Sequence, residues 1–298
     1  MTKRTLHKMF AAIVAALLLQ GYAAAQNRIT ILTDAFGRWP KLTLDWGYAA
    51  LVEYNGKRIL FDTGDNIAVL KENVAKLNVD LTHLDMVVIS HAHSDHTAGL
   101  RWILQLNPKV QLFVPDDVTF RGREVPQEVL SMDKVPVLPK EQRYFNGFAD
   151  AHIPEWQAYS DVELKVVKGQ MSVAPGVRLV SVLTKRPPDR GLLEVAMVLD
   201  TPKGPVVIVG CSHPGIEEML DVVTANRENS QVSMLFGGLH LMEDTEPQID
   251  HALAVLQQKY GVQRIAAGHC TGERAFYRIH ERWKKNDVYA GLGETVTF

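Results

Sequence analysis

Apolar positions along this chain follow two periods, and the switches between them mark out its elements. Arg28–Thr33 and Tyr48–Tyr54 are rich in β-branched and aromatic residues and predict strands. Asn55-Gly56 is a hairpin signal, and Lys57–Phe61 returns as the next strand. Asp62-Thr63-Gly64 ends that strand. From about Ile67 to Leu77 the period lengthens, with Leu70, Val74 and Leu77 on one helical face. Leu84–Ser90 is a short apolar run that predicts a buried strand leading into His91. After His96, a helix is expected around Leu100, Ile103 and Leu104, stopping near Asn107-Pro108.

Residues 116–160 show no clean period and hold several prolines, which predicts an irregular insertion near a site mouth. Strand signals return over 162–182, 192–199 and 205–210, with Lys203-Gly204 as a turn. A helix is expected from Gly215 to about Asn226, then a strand over 232–236 that runs into Gly237-Gly238-Leu239-His240. The next helix has clear limits: Thr245 caps it, Pro247 suits its first turn, Ile249, Leu253 and Leu256 line one face, and Gly261 stops it. Val262–Ala267 predicts a strand ending at Gly268-His269, followed by a helix over about 273–284 and a final strand over 287–298. Two sheets with helices on their outer faces would bury these elements, so the expected fold is α/β: a four-layer αββα sandwich forming a single domain.

The N-terminus stands apart from this pattern. Lys3, Arg4 and Lys8 precede an uncharged run from Met9 to Leu19, and Gly21–Gln26 ends in small residues. That is the order of a secretory signal peptide, and its apolar core is too short for the roughly 20 residues that span a bilayer. The expectation is a signal peptide over 1–25, a domain over 26–298, a periplasmic or secreted location, and no stable membrane insertion after processing. The composition, 46% hydrophobic and 22% charged, is that of an ordinary soluble globule. A net charge of −2 gives no reason to expect nucleic acid or an acidic membrane surface as a partner. Oligomeric state is not legible. The two cysteines, Cys211 and Cys270, each lie beside a histidine, so disulfide, free thiol and metal ligand all stay open.

Candidate chemistry concentrates in His91-Ala-His93-Ser-Asp95-His96, between a buried strand and a helix. Residues two apart in an extended segment point the same way, so His91 and His93 share a face, while Asp95 and His96 sit where the chain turns. Imidazoles and a carboxylate suit a borderline cation, Zn²⁺ first, with Mn²⁺ or Fe²⁺ admissible, as one or two ions. His269 and His213 also follow buried strands and are further candidate ligands. His240 lies at a strand end too, as a candidate for substrate binding or proton donation. The charged loop Lys185-Arg186-Pro-Pro-Asp189-Arg190 reads first as solvated, and second as a holder of an anionic group.

The six-residue motif resembles the signature of the metallo-β-lactamase superfamily, and Ile59–Gly64 resembles the element that precedes it there. Gly210-Cys211-Ser-His213-Pro-Gly215, Gly237-Gly238-Leu-His240 and Gly268-His269-Cys270-Thr-Gly272 are similar to hydrolases grouped with dihydropterin-ribofuranosylaminobenzene phosphate synthase. The resemblance implies metal ligation by His91, His93, Asp95, His96, His213 and His269, and support of the metal loop by Asp62 through hydrogen bonds. Two departures stand out: the Pro175-Gly176 segment has no histidine, and the Gly210–Gly215 motif lacks the usual bridging aspartate. One metal position is therefore expected to be short of ligands, the His91/His93 one unless His213 completes it or Cys211 supplies a thiolate.

These readings imply a metal-dependent hydrolase. Zn²⁺ lowers the pKa of bound water to about 7. Asp95 would orient that water, and His240 or His213 would protonate the leaving group. The subgroup resemblance implies a phosphoester-type substrate. The alternatives are a lactone or β-lactam amide hydrolase, and an exported metal-binding protein without turnover.

Overall fold

The computed structural model describes residues 27–121, 139, 159, 162–225 and 231–298. The expected signal peptide and most of the expected 116–160 insertion lie outside the described residues. The strands are β1 (Arg28–Thr33), β2 (Ala49–Tyr54), β3 (Lys57–Phe61), β4 (Met86–Val88), β5 (Gln111–Pro115), β6 (Glu163–Val167) and β7 (Gln170–Ala174). They continue with β8 (Val177–Leu183), β9 (Leu193–Thr201), β10 (Gly204–Val209), β11 (Met234–Gly238), β12 (Arg264–Gly268) and β13 (Thr295–Thr297). The α-helices are α1 (Ile67–Lys76), α2 (Ser94–Thr97), α3 (Leu100–Leu106), α4 (Val118–Arg121), α5 (Ile216–Thr224), α6 (Glu246–Gln258) and α7 (Glu273–Trp283).

One sheet runs β13-β1-β2-β3-β4-β5-β6 and the other β12-β11-β10-β9-β8-β7. Strands β3 to β6 are parallel, as are β10 to β12, and the remaining pairs are antiparallel. Between the sheets, Ile31, Val52, Phe61 and Val88 pack with Leu179, Met197, Ile208 and Phe236 in one buried cluster. The outer face of the first sheet packs with Leu70, Val74, Ile103 and Leu104 from α1 and α3. That of the second packs with Leu220, Leu253 and Ile279 from α5, α6 and α7. The αββα sandwich read from the apolar periods is the observed fold. No described helix is long and apolar enough to cross a membrane.

Local signals explain the element limits. The Asn55-Gly56 turn holds both residues at positive φ, 49° and 75°, as a tight hairpin requires. Helix α6 begins with a reciprocal capping box between Thr245 and Gln248, with proline in its first turn. The predicted final strand is corrected: only Thr295–Thr297 pairs as a strand, against β1. Gly293 adopts φ 83° and lies against Leu42 and Trp39, so the chain turns there instead of extending.

Candidate metal centre

The C-terminal ends of the parallel strands open on one side of the sandwich, where such sheets commonly place their sites. Strand β3 delivers Asp62, and β4 runs through Ser90 to His91 and His93. Asp95 and His96 lie on the single turn of α2. Strand β10 delivers Cys211 and His213, β11 His240, and β12 His269. The two sheets are tied together at this point, since Val195 N donates to Ser90 O at 2.7 Å. The cost of the arrangement is visible in the backbone: Asp62, Ser212, His240 and His269 all have positive φ, between 47° and 67°.

Five of the six residues expected as ligands, all but His93, fall into two groups of donor atoms. Asp95, His96, Cys211 and His269 form one, and His91, Cys211 and His213 the other, with donors in each within 4.8 Å of one another. Cys211 Sγ belongs to both. His93 lies beside the second group, its Nδ1 3.1 Å from His91 Nε2 and its ring 4.7 Å from that of His213. His213 lies in the donor group of His91, the half expected to be short of a ligand. The Pro175-Gly176 segment is the β7–β8 turn, packed against Tyr54.

Hydrogen bonds at the outer ring nitrogens aim several imidazoles inward. Ser90 Oγ lies 2.9 Å from His91 Nδ1 and Asp62 Oδ2 2.7 Å from His96 Nδ1, while Asp189 Oδ2 approaches His213 Nδ1 to 2.8 Å without hydrogen-bond geometry. Carboxylate and hydroxyl partners of this kind orient metal-ligating histidines. Asp62 also accepts from Ser90 N and Ser90 Oγ, both at 2.7 Å, which is the support expected of it. Facing inward, the buried His213 Nε2 and His269 Nε2 have no hydrogen-bond partner among the described residues. His269 Nε2 lies 3.4 Å from Asp95 Oδ2 without hydrogen-bond geometry.

The protonation pattern favours a cation. Burial and neighbouring histidines push His91 well below the usual histidine range and His213 down to about 4; burial lowers His269 too. These are the neutral imidazoles that a metal takes. Burial opposes a charge on His96, but Asp62 and Asp95 outweigh it and push that residue up to about 10. Asp95, although burial opposes its charge, is held well below the usual carboxylate range by His269 and His96. Burial pushes the Cys211 thiol up, and a bound cation would reverse that balance. Orphaned imidazole nitrogens, an ionised carboxylate and a shared sulfur together fit a borderline divalent ion.

The sequence model of the Metallo-beta-lactamase superfamily matches residues 43–269. This chain belongs to that superfamily. It is similar to a 7,8-dihydropterin-6-methyl-4-(beta-D-ribofuranosyl)-aminobenzene-5'-phosphate synthase of Methanocaldococcus jannaschii, 27% identical over 83% of this chain and 87% of that protein. Among solved structures it is similar to Tm1679, a metal-dependent hydrolase of the beta-lactamase superfamily, at 24% identity and a TM-score of 0.65 over 91% of this chain and 99% of that one. It is also similar to the metallo-beta-lactamase fold protein YhfI from Bacillus subtilis, at 14% identity and a TM-score of 0.57 over 91% and 99% of the two chains. These two structural likenesses concern the fold.

Within this superfamily member, both cysteines are buried free thiols, not a disulfide. Cys211 Sγ lies 3.3 Å from His96 Nε2, and Cys270 Sγ lies 3.6 Å from the carbonyl oxygen of Cys211. The charged loop meets the site through its acid: Asp189 reaches His213, whereas Arg186 pairs with Glu218 at 3.5 Å. Sequence reasoning missed three residues. Asp34, pushed up to about 7 by burial, accepts from His269 N at 3.2 Å. Asp189 gave no signal beyond its loop. Glu194, wholly buried, accepts from the backbone N–H groups of Cys211, Ser212 and His213 at 2.9, 2.8 and 2.7 Å.

Glu194 therefore fixes the turn that carries the shared sulfur and His213. A glutamine there would face a donor toward at least one of three buried donors. Glu194→Gln is expected to cost about 2–3 kcal/mol in urea unfolding of the metal-free protein and to weaken metal retention. Unchanged stability would show that the turn holds its shape without the carboxylate.

Proposed function

We propose that this chain is a metal-dependent hydrolase of a phosphoester-type small molecule, with two divalent ions shared among His91, His93, Asp95, His96, Cys211, His213 and His269. The observation that carries the reading is the paired donor set meeting at one sulfur, with buried imidazole nitrogens of both halves lacking partners. Divalent ions held there would lower the pKa of water toward neutrality and stabilise negative charge on the ester. Zn²⁺ is the first candidate from the donor types.

The residues divide the remaining work. Asp95, partly exposed and ionised, orients the attacking water. Asp189 fixes the His213 ring so that its Nε2 faces inward. His240 lines the cavity beside His213, with ring centroids 4.5 Å apart, and is placed to protonate the departing oxygen. Water, its proton released to solvent, supplies the oxygen that joins phosphorus, the ester P–O bond breaks, and the leaving oxygen takes its proton from His240. The choice of phosphoester is supported by the M. jannaschii relative, which is named as the synthase of a 5'-phosphate.

The test is a panel of phosphodiesters, phosphomonoesters, lactones and β-lactams with metal-supplemented protein. Phosphoester turnover is expected, reduced by at least about 100-fold in His93→Ala, since loss of a mere supporting group commonly costs 10–100-fold. Turnover of lactones or lactams alone would replace the substrate class. Metal retention without turnover of any substrate would make the chain a binder.

A further inference from the structure

Two cavities flank the donor cluster, and their linings differ in kind. One, of about 570 Å³, is reached from His213 and His240 and bordered by Arg186, Asp189, Glu243 and Asp244. The other, of about 500 Å³, is reached from His269 and bordered by Phe36, Trp46, Met242 and Phe276. Leu241 borders both, so the chain after β11 forms the partition between them. His213 belongs to the donor group of His91, and His269 to that of Asp95 and His96. Each cavity therefore opens on a different half of the cluster.

Resting on the phosphoester reading above, we propose that the substrate has two unlike arms, with a flat aromatic arm in the cavity beside His269 and a polar arm in the cavity beside His213. The aromatic assignment comes from what the second cavity offers. Trp46 is 45% exposed and Met242 42% exposed, and both border this cavity. The Trp46 ring lies 5.3 Å from that of His269, and Phe36 packs on Phe276 at 5.1 Å, so aromatic rings border this cavity beside a donor residue. Such a wall gains most from another ring, by stacking and by loss of exposed apolar surface. Charge enters this lining through Glu273 and Arg274, and Arg274 is turned back to donate to Met242 O. The first cavity carries charge of both signs and histidine instead, which suits a hydrogen-bonding group.

The proposal is tested by calorimetric binding of methyl phosphate, n-octyl phosphate, 1-naphthyl phosphate and 1-naphthoate to the metal-loaded protein. 1-Naphthyl phosphate is expected to bind on the order of tenfold tighter than methyl phosphate, and tighter than the octyl compound. That ratio should fall toward parity in Trp46→Ala. Because Trp46 also touches the His269 ring, Met242→Asp at the exposed mouth is the second variant and should give the same loss. Octyl phosphate binding as tightly as the naphthyl compound would overturn the aromatic assignment. A naphthyl preference unchanged in both variants would overturn the location. If 1-naphthoate binds with the same dependence on Trp46 while neither aryl nor alkyl phosphate binds, the aromatic arm stands and the phosphoester reading falls.

Discussion

Cys211→Ala is expected to reduce bound metal from two equivalents to one or fewer, and to lower kcat/KM by at least about 100-fold. Cys211 Sγ is common to both donor groups, so its loss removes a ligand from each position. Each half would keep imidazoles, but the corner that joins them would be gone. Cys211→Asp should recover part of both metal content and rate, because a carboxylate can also span two cations. Metal analysis on dialysed protein and steady-state kinetics check both variants. If Cys211 were only a buried thiol, alanine would leave metal content intact and cost no more than a small cavity, about 1 kcal/mol or less.

Asp62→Ala is expected to destabilise the metal-free protein by about 3–5 kcal/mol, the usual cost of leaving a buried charge without its partner. Asp62 is wholly buried, lies 2.7 Å from His96 Nδ1, and accepts two hydrogen bonds from Ser90. Removing it strands His96 and loosens the loop that carries His91. Asp62→Asn preserves shape and some hydrogen bonds, and should cost less. Urea denaturation after chelation separates this effect from metal release. A loss below about 1 kcal/mol would mean that the pair contributes only as an exposed ion pair does.

What was legible in the sequence had short-range causes. His91, His93, Asp95 and His96 lie within six positions, and periodic apolar strands brought His213 and His269 to strand ends. The sandwich followed from the same periods. What stayed hidden depends on contacts distant in the chain. Glu194 is one acid within β9, and nothing local says that it accepts from a turn 17 to 19 residues away. Asp34 meets His269 across 235 residues. Cys211 was visible as a neighbour of histidine, but its choice among disulfide, thiol and ligand needed the direction of the sulfur. The final strand was overextended because the apolar pattern continues through Gly291 and Gly293, where the backbone turns.

Metal is expected at His91, His93, Asp95, His96, Cys211, His213 and His269. Anomalous diffraction from crystals of the metal-loaded protein, collected on both sides of the zinc absorption edge, tests it most directly. Two peaks are expected, one enclosed by His91, His93 and His213 and the other by Asp95, His96 and His269, with Cys211 Sγ between them. No peak in this cluster, or a single peak with His213 or His269 turned away from it, would contradict the account.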